Sequence, residues 1–136
     1  THGQFATDVN QSFLLTFDDK LTMTQLERLV GLFRFCQDPL ELLTLSACQT
    51  GIGDDRAALG LAGIAVKAGA RSALATLWFI NDEASSELVS EFYRQLHDTS
   101  ISKARALQLA QLKLLSDRLY EHPAYWAAFL LFNNWL

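Results

Sequence analysis

The chain has 136 residues, half of them apolar and 19% charged, with a formal net charge of -4. This is one domain's worth of chain, too apolar to stay disordered, and its mild acidity offers a phosphate backbone no electrostatic attraction, which argues against nucleic acid as a main partner. Seven glycines and two prolines leave no collagen-like or low-complexity reading, and no stretch approaches the roughly 18 apolar residues of a membrane span. In chain order, Phe13 to Phe17 is a β-prone run closed by Asp18 and Asp19. A helix is predicted next, with Thr22 or Thr24 as its cap and Leu26, Leu29, Val30 and Phe33 recurring at helical spacing. Asp38-Pro39 ends it. Leu42 to Ala47 reads as a buried strand, apolar on both faces, with Cys48 where the strand ends and a loop from Gln49 to Asp55 containing Gly51 and Gly53. A helix apolar nearly all round, and so deeply packed, is predicted over about Arg56 to Lys67. Gly69 suits its C-cap, and Ser72 to Trp78 is a second buried strand. Asn81 or Asp82 caps a third helix, with Leu88, Val89, Phe92 and Leu96 on one face. Ser102 caps a fourth, with Ala104, Leu107, Ala110 and Leu114 inward. His122-Pro123 closes that segment, and Ala127 to Phe132 is the last strand. This order predicts a single α/β domain over residues 1–136, with a largely parallel sheet flanked by helices.

Two cysteines, Cys36 and Cys48, make no disulfide framework, and a reduced, cytoplasmic setting is the simplest reading. Ligands of open α/β sheets bind beyond the carboxyl ends of the strands, where the strand reading puts Cys48. A thiol at that rim is reactive as its thiolate, which at neutral pH needs a base or an imidazolium nearby. Of the three histidines, His97 falls near a helix C-terminus, His122 precedes a proline in a turn, and His2, followed by Gly3, stands 46 residues before Cys48. A histidine about 50 residues upstream of a cysteine that follows a small residue is the spacing of caspase-type peptidases. Cys36 sits on the apolar side of a helix and reads as a core residue. Scattered histidines with one rim cysteine supply no metal-ligand spacing. Gly51-Ile52-Gly53 fails as a dinucleotide loop because position 56 is Arg56, and no phosphate-loop Gly-Lys-Ser occurs.

Several stretches together resemble the CHAT domain, a bacterial branch of the caspase and separase peptidases: Thr1-His2-Gly3; Leu45-Ser46-Ala47-Cys48-Gln49-Thr50-Gly51; Ala68-Gly69-Ala70-Arg71-Ser72; Thr76-Leu77-Trp78 followed by Asn81-Asp82-Glu83-Ala84; and His122-Pro123-Ala124-Tyr125-Trp126-Ala127-Ala128-Phe129. The resemblance implies a caspase-like (caspase-haemoglobinase) fold and a cysteine endopeptidase that hydrolyses peptide bonds with a Cys-His dyad. Cys48 would be the nucleophile, His2 would protonate the leaving amine, and the backbone N–H groups of Gly3 and Cys48 would hold the oxyanion. No cofactor and no metal is implied. Asp82, with Glu83 beside it, matches the acidic position that takes a basic side chain in separase-like members, and Gln49 is the further substrate-binding candidate. Asp82 also reads as a helix N-cap, and the two roles are compatible. The implied partners are a protein or peptide substrate and a helical-repeat regulatory module in a longer chain.

The family's fold begins upstream of the histidine motif, and this chain opens on Thr1-His2-Gly3. It is therefore expected to be a portion of a longer domain that lacks the N-terminal strands, and to be inactive alone or to need its missing part or a second copy. The rival reading is a non-catalytic, regulatory module that keeps the caspase-like fold for protein interaction. A flavodoxin-like domain is a more distant one, with no residues to support a flavin or phosphate ligand.

Overall fold

The structure, a computed structural model, describes residues 2–4, 11–33, 39–45, 48–49, 56–78 and 80–136, and gives the backbone alone for residues 2–4, 48–49 and 56–61. Cys36 and the 50–55 loop with Gly51, Gly53, Asp54 and Asp55 lie outside the described residues, as do Thr1, Ser46 and Ala47. The element order is β1 (His2–Gln4), β2 (Phe13–Leu15), β3 (Lys20–Thr22), α1 (Met23–Phe33), β4 (Leu43–Leu45), β5 (Cys48–Gln49), α2 (Arg56–Ala68), β6 (Ser72–Thr76), α3 (Asp82–Leu96), α4 (Lys103–Leu115), a 3-10 turn (Pro123–Tyr125) and β7 (Phe129–Asn133).

Local chemistry accounts for four of the helix ends. Thr22 and Gln25 close a capping box at the start of α1: the Gln25 N–H donates to Thr22 Oγ1 at 3.3 Å, and the Thr22 N–H donates to Gln25 Oε1 at 2.7 Å. The choice between Thr22 and Thr24 thus falls on Thr22. At the end of α2, Gly69 has φ 117°, a conformation that side chains with a Cβ resist. Its N–H donates to the Val66 carbonyl and that of Ala70 to the Ala65 carbonyl, both at 3.0 Å, which is a Schellman cap. Asn81 caps α3, its Oδ1 accepting from the Ala84 N–H at 3.0 Å, so Asp82 is the first helical residue and not the cap. Ser102 caps α4 by accepting from the Arg105 N–H at 3.2 Å.

The strands pair in the orders β3-β2-β1-β5 and β4-β6-β7. Of the five pairings among the described residues, β1 with β5 and β4 with β6 are parallel, while β1 with β2, β2 with β3 and β6 with β7 are antiparallel. Among the described residues there are two sheets, each mixed, where a single largely parallel one was expected. One cause is local. Four residues join β2 to β3, and a tight turn tied by the Thr16 N–H to the Asp19 carbonyl at 2.9 Å leaves room for a hairpin and not for a crossover.

Two apolar clusters flank the β4-β6-β7 sheet. Leu43 and Leu45 of β4 and Ala73 and Ala75 of β6 join Met23, Leu26 and Val30 of α1 and Ala62, Ala65 and Ala68 of α2. Leu74 of β6 and Phe129 of β7 join Leu88 and Phe92 of α3 and Leu107, Ala110 and Leu114 of α4. Alternation along β6 sends its alanines to one side and its leucine to the other, as the pleat requires. The result is helices on both faces, an α/β layering. The small residues of α2 lie against the small residues of β6, which lets that helix approach closely. In α1, Leu29 and Phe33, placed by spacing with Leu26 and Val30, are instead 49% and 46% exposed.

Candidate functional site

Cys48, expected where the strand through Leu45 ends, is instead the first residue of β5, which runs parallel to β1 with His2 opposite Cys48 and Gly3 opposite Gln49. Neighbouring strands lie roughly 4.8 Å apart, so the backbone brings the four positions together although 46 residues separate His2 from Cys48. Two residues separate Leu45, the end of β4, from Cys48, so the Cys48 Cα stands at most about 11 Å beyond the Leu45 Cα. Leu45 is opposite Ala75 of the parallel strand β6. The chain thus passes from one sheet to the other at the end of β4, at the same end at which β6 runs out into the α3 connection.

Asp82 and Glu83 open α3 just beyond that end of β6. With Ser86, Glu87 and Tyr120 they line an open cleft of about 480 Å³. Two carboxylates in a first helical turn also suit the positive end of the helix dipole. The Tyr120 phenol is pushed above its ordinary range, first by burial and then by the negative charges of Glu83, Asp117 and Glu87, so its ring shares the field of the cleft carboxylates. Tyr120 stacks edge-on against Tyr125 at 5.6 Å. The Trp78 indole N–H, at the mouth of the β6–α3 connection, donates to the Ala124 carbonyl at 3.0 Å and ties that connection to the 3-10 turn.

Behind the cleft, α3 and α4 share a buried charge. Glu91 is 6% exposed. It accepts from Arg94 at 2.5 and 2.9 Å and from Gln95 at 2.6 Å, with Lys113 of α4 at 3.5 Å. The Arg94 hydrogen bonds, outweighing the opposing effect of burial and helped by Gln95 and by the two cations, hold its carboxyl down at about 2.

The motif around Arg71 serves architecture at the other end of the sheet. The Arg71 N–H donates to the Leu40 carbonyl at 2.8 Å, its guanidinium pairs with Glu41 at 2.5 Å, and Ser72 Oγ donates to the Glu41 carbonyl at 2.5 Å. The Arg71 carbonyl in turn accepts from the Asn134 N–H at 3.0 Å and from Asn133 Nδ2 at 2.9 Å. These bonds fix β4, β6 and the segment after β7 in register. His122 and His97 are exposed caps, His122 Nδ1 accepting from the Ala124 N–H at 3.2 Å.

Spacing alone missed the hydrogen bond of 2.7 Å between Thr44 Oγ1 of β4 and Tyr93 Oη of α3. A lone threonine in an otherwise apolar strand was its one trace in the sequence. Among the described residues, no group of three or more His, Cys, Asp or Glu is placed to hold a metal ion, and no helix is long and apolar enough to cross a membrane. The side chains of His2, Gln49 and Cys48 lie outside the described residues.

The family model described as CHAT domain matches residues 1–134, nearly the whole chain. No curated protein and no solved structure matches it.

Proposed function

Because this chain belongs to the CHAT domain family, a caspase-like, peptidase-related family, we propose that it is a caspase-fold cysteine endopeptidase working through a Cys48–His2 dyad. The observation that carries the reading is the register of β1 on β5, which sets position 2 beside position 48. Backbone positions about 4.8 Å apart are close enough for a thiol and an imidazole to act on one scissile peptide. The Cys48 thiolate attacks the carbonyl carbon, and the oxyanion is taken up by the N–H groups of Gly3 and Cys48. His2 gives its proton to the leaving amine as the C–N bond breaks, leaving a thioester on Cys48. His2 then takes a proton from water, hydroxide adds to the thioester, and the acid is released with the thiol restored.

The Asp82–Glu83 cleft supports a preference for Arg or Lys before the scissile bond. Its carboxylates stand just beyond the carboxyl end of β6, the end at which the chain leaves the parallel strand β4 towards β5. A fluorogenic peptide panel tests both parts. Peptides with Arg or Lys at that position are expected to be cleaved, with loss of about 10²–10⁴-fold in His2→Ala and Cys48→Ala. A preference for acidic residues overturns the cleft assignment. No cleavage of any peptide, with no labelling by a peptidyl acyloxymethyl ketone, overturns the peptidase itself and leaves a binding module.

A further inference from the structure

Thr44 is the one residue of β4 on the α3 face, since Leu43 and Leu45 both join the cluster under α1 and α2. A valine of the same shape would fill that position without a polar atom to satisfy. The hydroxyl instead meets Tyr93 Oη at 2.7 Å. Tyr93 is held in turn by Phe92, which is fully buried and packs edge-on against it at 5.5 Å. The remaining contact of α3 with the sheet is apolar, through Leu88, Phe92 and Leu74, and apolar packing is non-directional. The hydroxyl pair, at the rim of that contact with Tyr93 43% exposed, adds its one directional bond between Thr44 and α3.

Its position relative to the two halves of the site carries the argument. From Thr44 the chain runs four residues to Cys48. From Tyr93 the helix runs back eleven residues to Asp82, about 16 Å along its axis. One column delivers the nucleophile and the other presents the acidic cleft, and the Thr44–Tyr93 bond is a crosspiece between them. We propose that Thr44 and Tyr93 are a positioning pair that sets the distance between the Cys48 strand and the substrate side chain held at the start of α3. The proposal rests on the peptidase reading above.

A loss of alignment lowers reaction from the bound state more than binding itself. On the best-cleaved basic peptide, Tyr93→Phe and Thr44→Val are each expected to lower kcat by roughly tenfold with KM within about twofold, the scale of a sub-ångström misplacement. Thr44→Ser, which keeps the hydroxyl, is expected to restore turnover. The double variant Thr44→Val/Tyr93→Phe should be no slower than either single one, because both remove the same bond. Iodoacetamide, which needs no substrate side chain in the cleft, should label Cys48 at the wild-type rate in all of them. Wild-type turnover in both single variants, losses that multiply in the double one, or Cys48 labelling that falls in step with turnover each overturns the positioning role. If the wild-type chain cleaves no peptide, the peptidase reading fails first and takes this inference with it, a result separable from the others because no variant is involved.

Discussion

Replacing Glu91 by glutamine removes the one buried charge that bridges α3 and α4 while keeping the side chain's shape. A carboxyl held at about 2 instead of 4.5 would, with no screening, stabilise the folded state by about 3 kcal/mol. Its partners reduce that figure: the Arg94 and Lys113 side chains are 67% and 52% exposed, and water screens both. About 1–2 kcal/mol is the reasonable expectation. Because the folded-state pKa is depressed, the stabilisation is fully present above pH 4.5 and is lost as pH falls towards 2. Urea unfolding of wild type and Glu91→Gln, followed by far-UV circular dichroism at several pH values from 7 to 2.5, measures it directly. The variant should be about 1–2 kcal/mol less stable at neutral pH, and the gap should narrow steadily below pH 4.5. A gap that stays constant across that range, or no gap at pH 7, refutes the account of the carboxylate as a charge stabilised by its neighbours.

Two further outcomes follow from the fold. Gly69→Ala places a Cβ on a residue at φ 117° and is expected to cost about 1–2 kcal/mol in thermal or urea unfolding; a neutral effect contradicts the Schellman cap. Phe129→Ala empties a fully buried position between β7 and the α3–α4 layer and is expected to cost about 3–5 kcal/mol. A loss below about 1 kcal/mol would mean that the α3–α4 layer does not depend on this packing.

What the amino-acid sequence disclosed was chiefly local. Caps announce themselves in a few residues, so Thr22, Gly69, Asn81 and Ser102 were within reach, although Asn81 and Asp82 are chemically too alike to separate without the structure. The paired alternatives were settled by which oxygen meets which N–H. The short strands were not legible for the opposite reason. β1 and β3 have three residues each, too few for any alternation to show; β1 depends on its pairing with β5 far along the chain, and β3 on its hairpin partner β2. Lys20, whose ammonium lies 4.2 Å over the Phe13 ring across the hairpin, looks like solvent-facing loop in isolation. In α1, residues at spacings of three and four fit two overlapping faces, and contact with α2 chose the one through Met23, Leu26 and Val30. For the site, the His2–Cys48 spacing was readable, but the register that brings the positions side by side is non-local. The Thr44–Tyr93 bond spans 49 residues and belongs to no local pattern.

The central claim is that His2 activates Cys48, and site-resolved labelling with iodoacetamide at neutral pH tests it most directly. The rates at Cys48 and Cys36 are to be compared in the wild-type chain and in His2→Ala. An imidazole beside the thiol raises its thiolate fraction at pH 7 from a few per cent to about half, so Cys48 is expected to label roughly tenfold faster than Cys36, and His2→Ala to remove most of that advantage. Equal, slow labelling of both cysteines, indifferent to His2, would contradict the dyad.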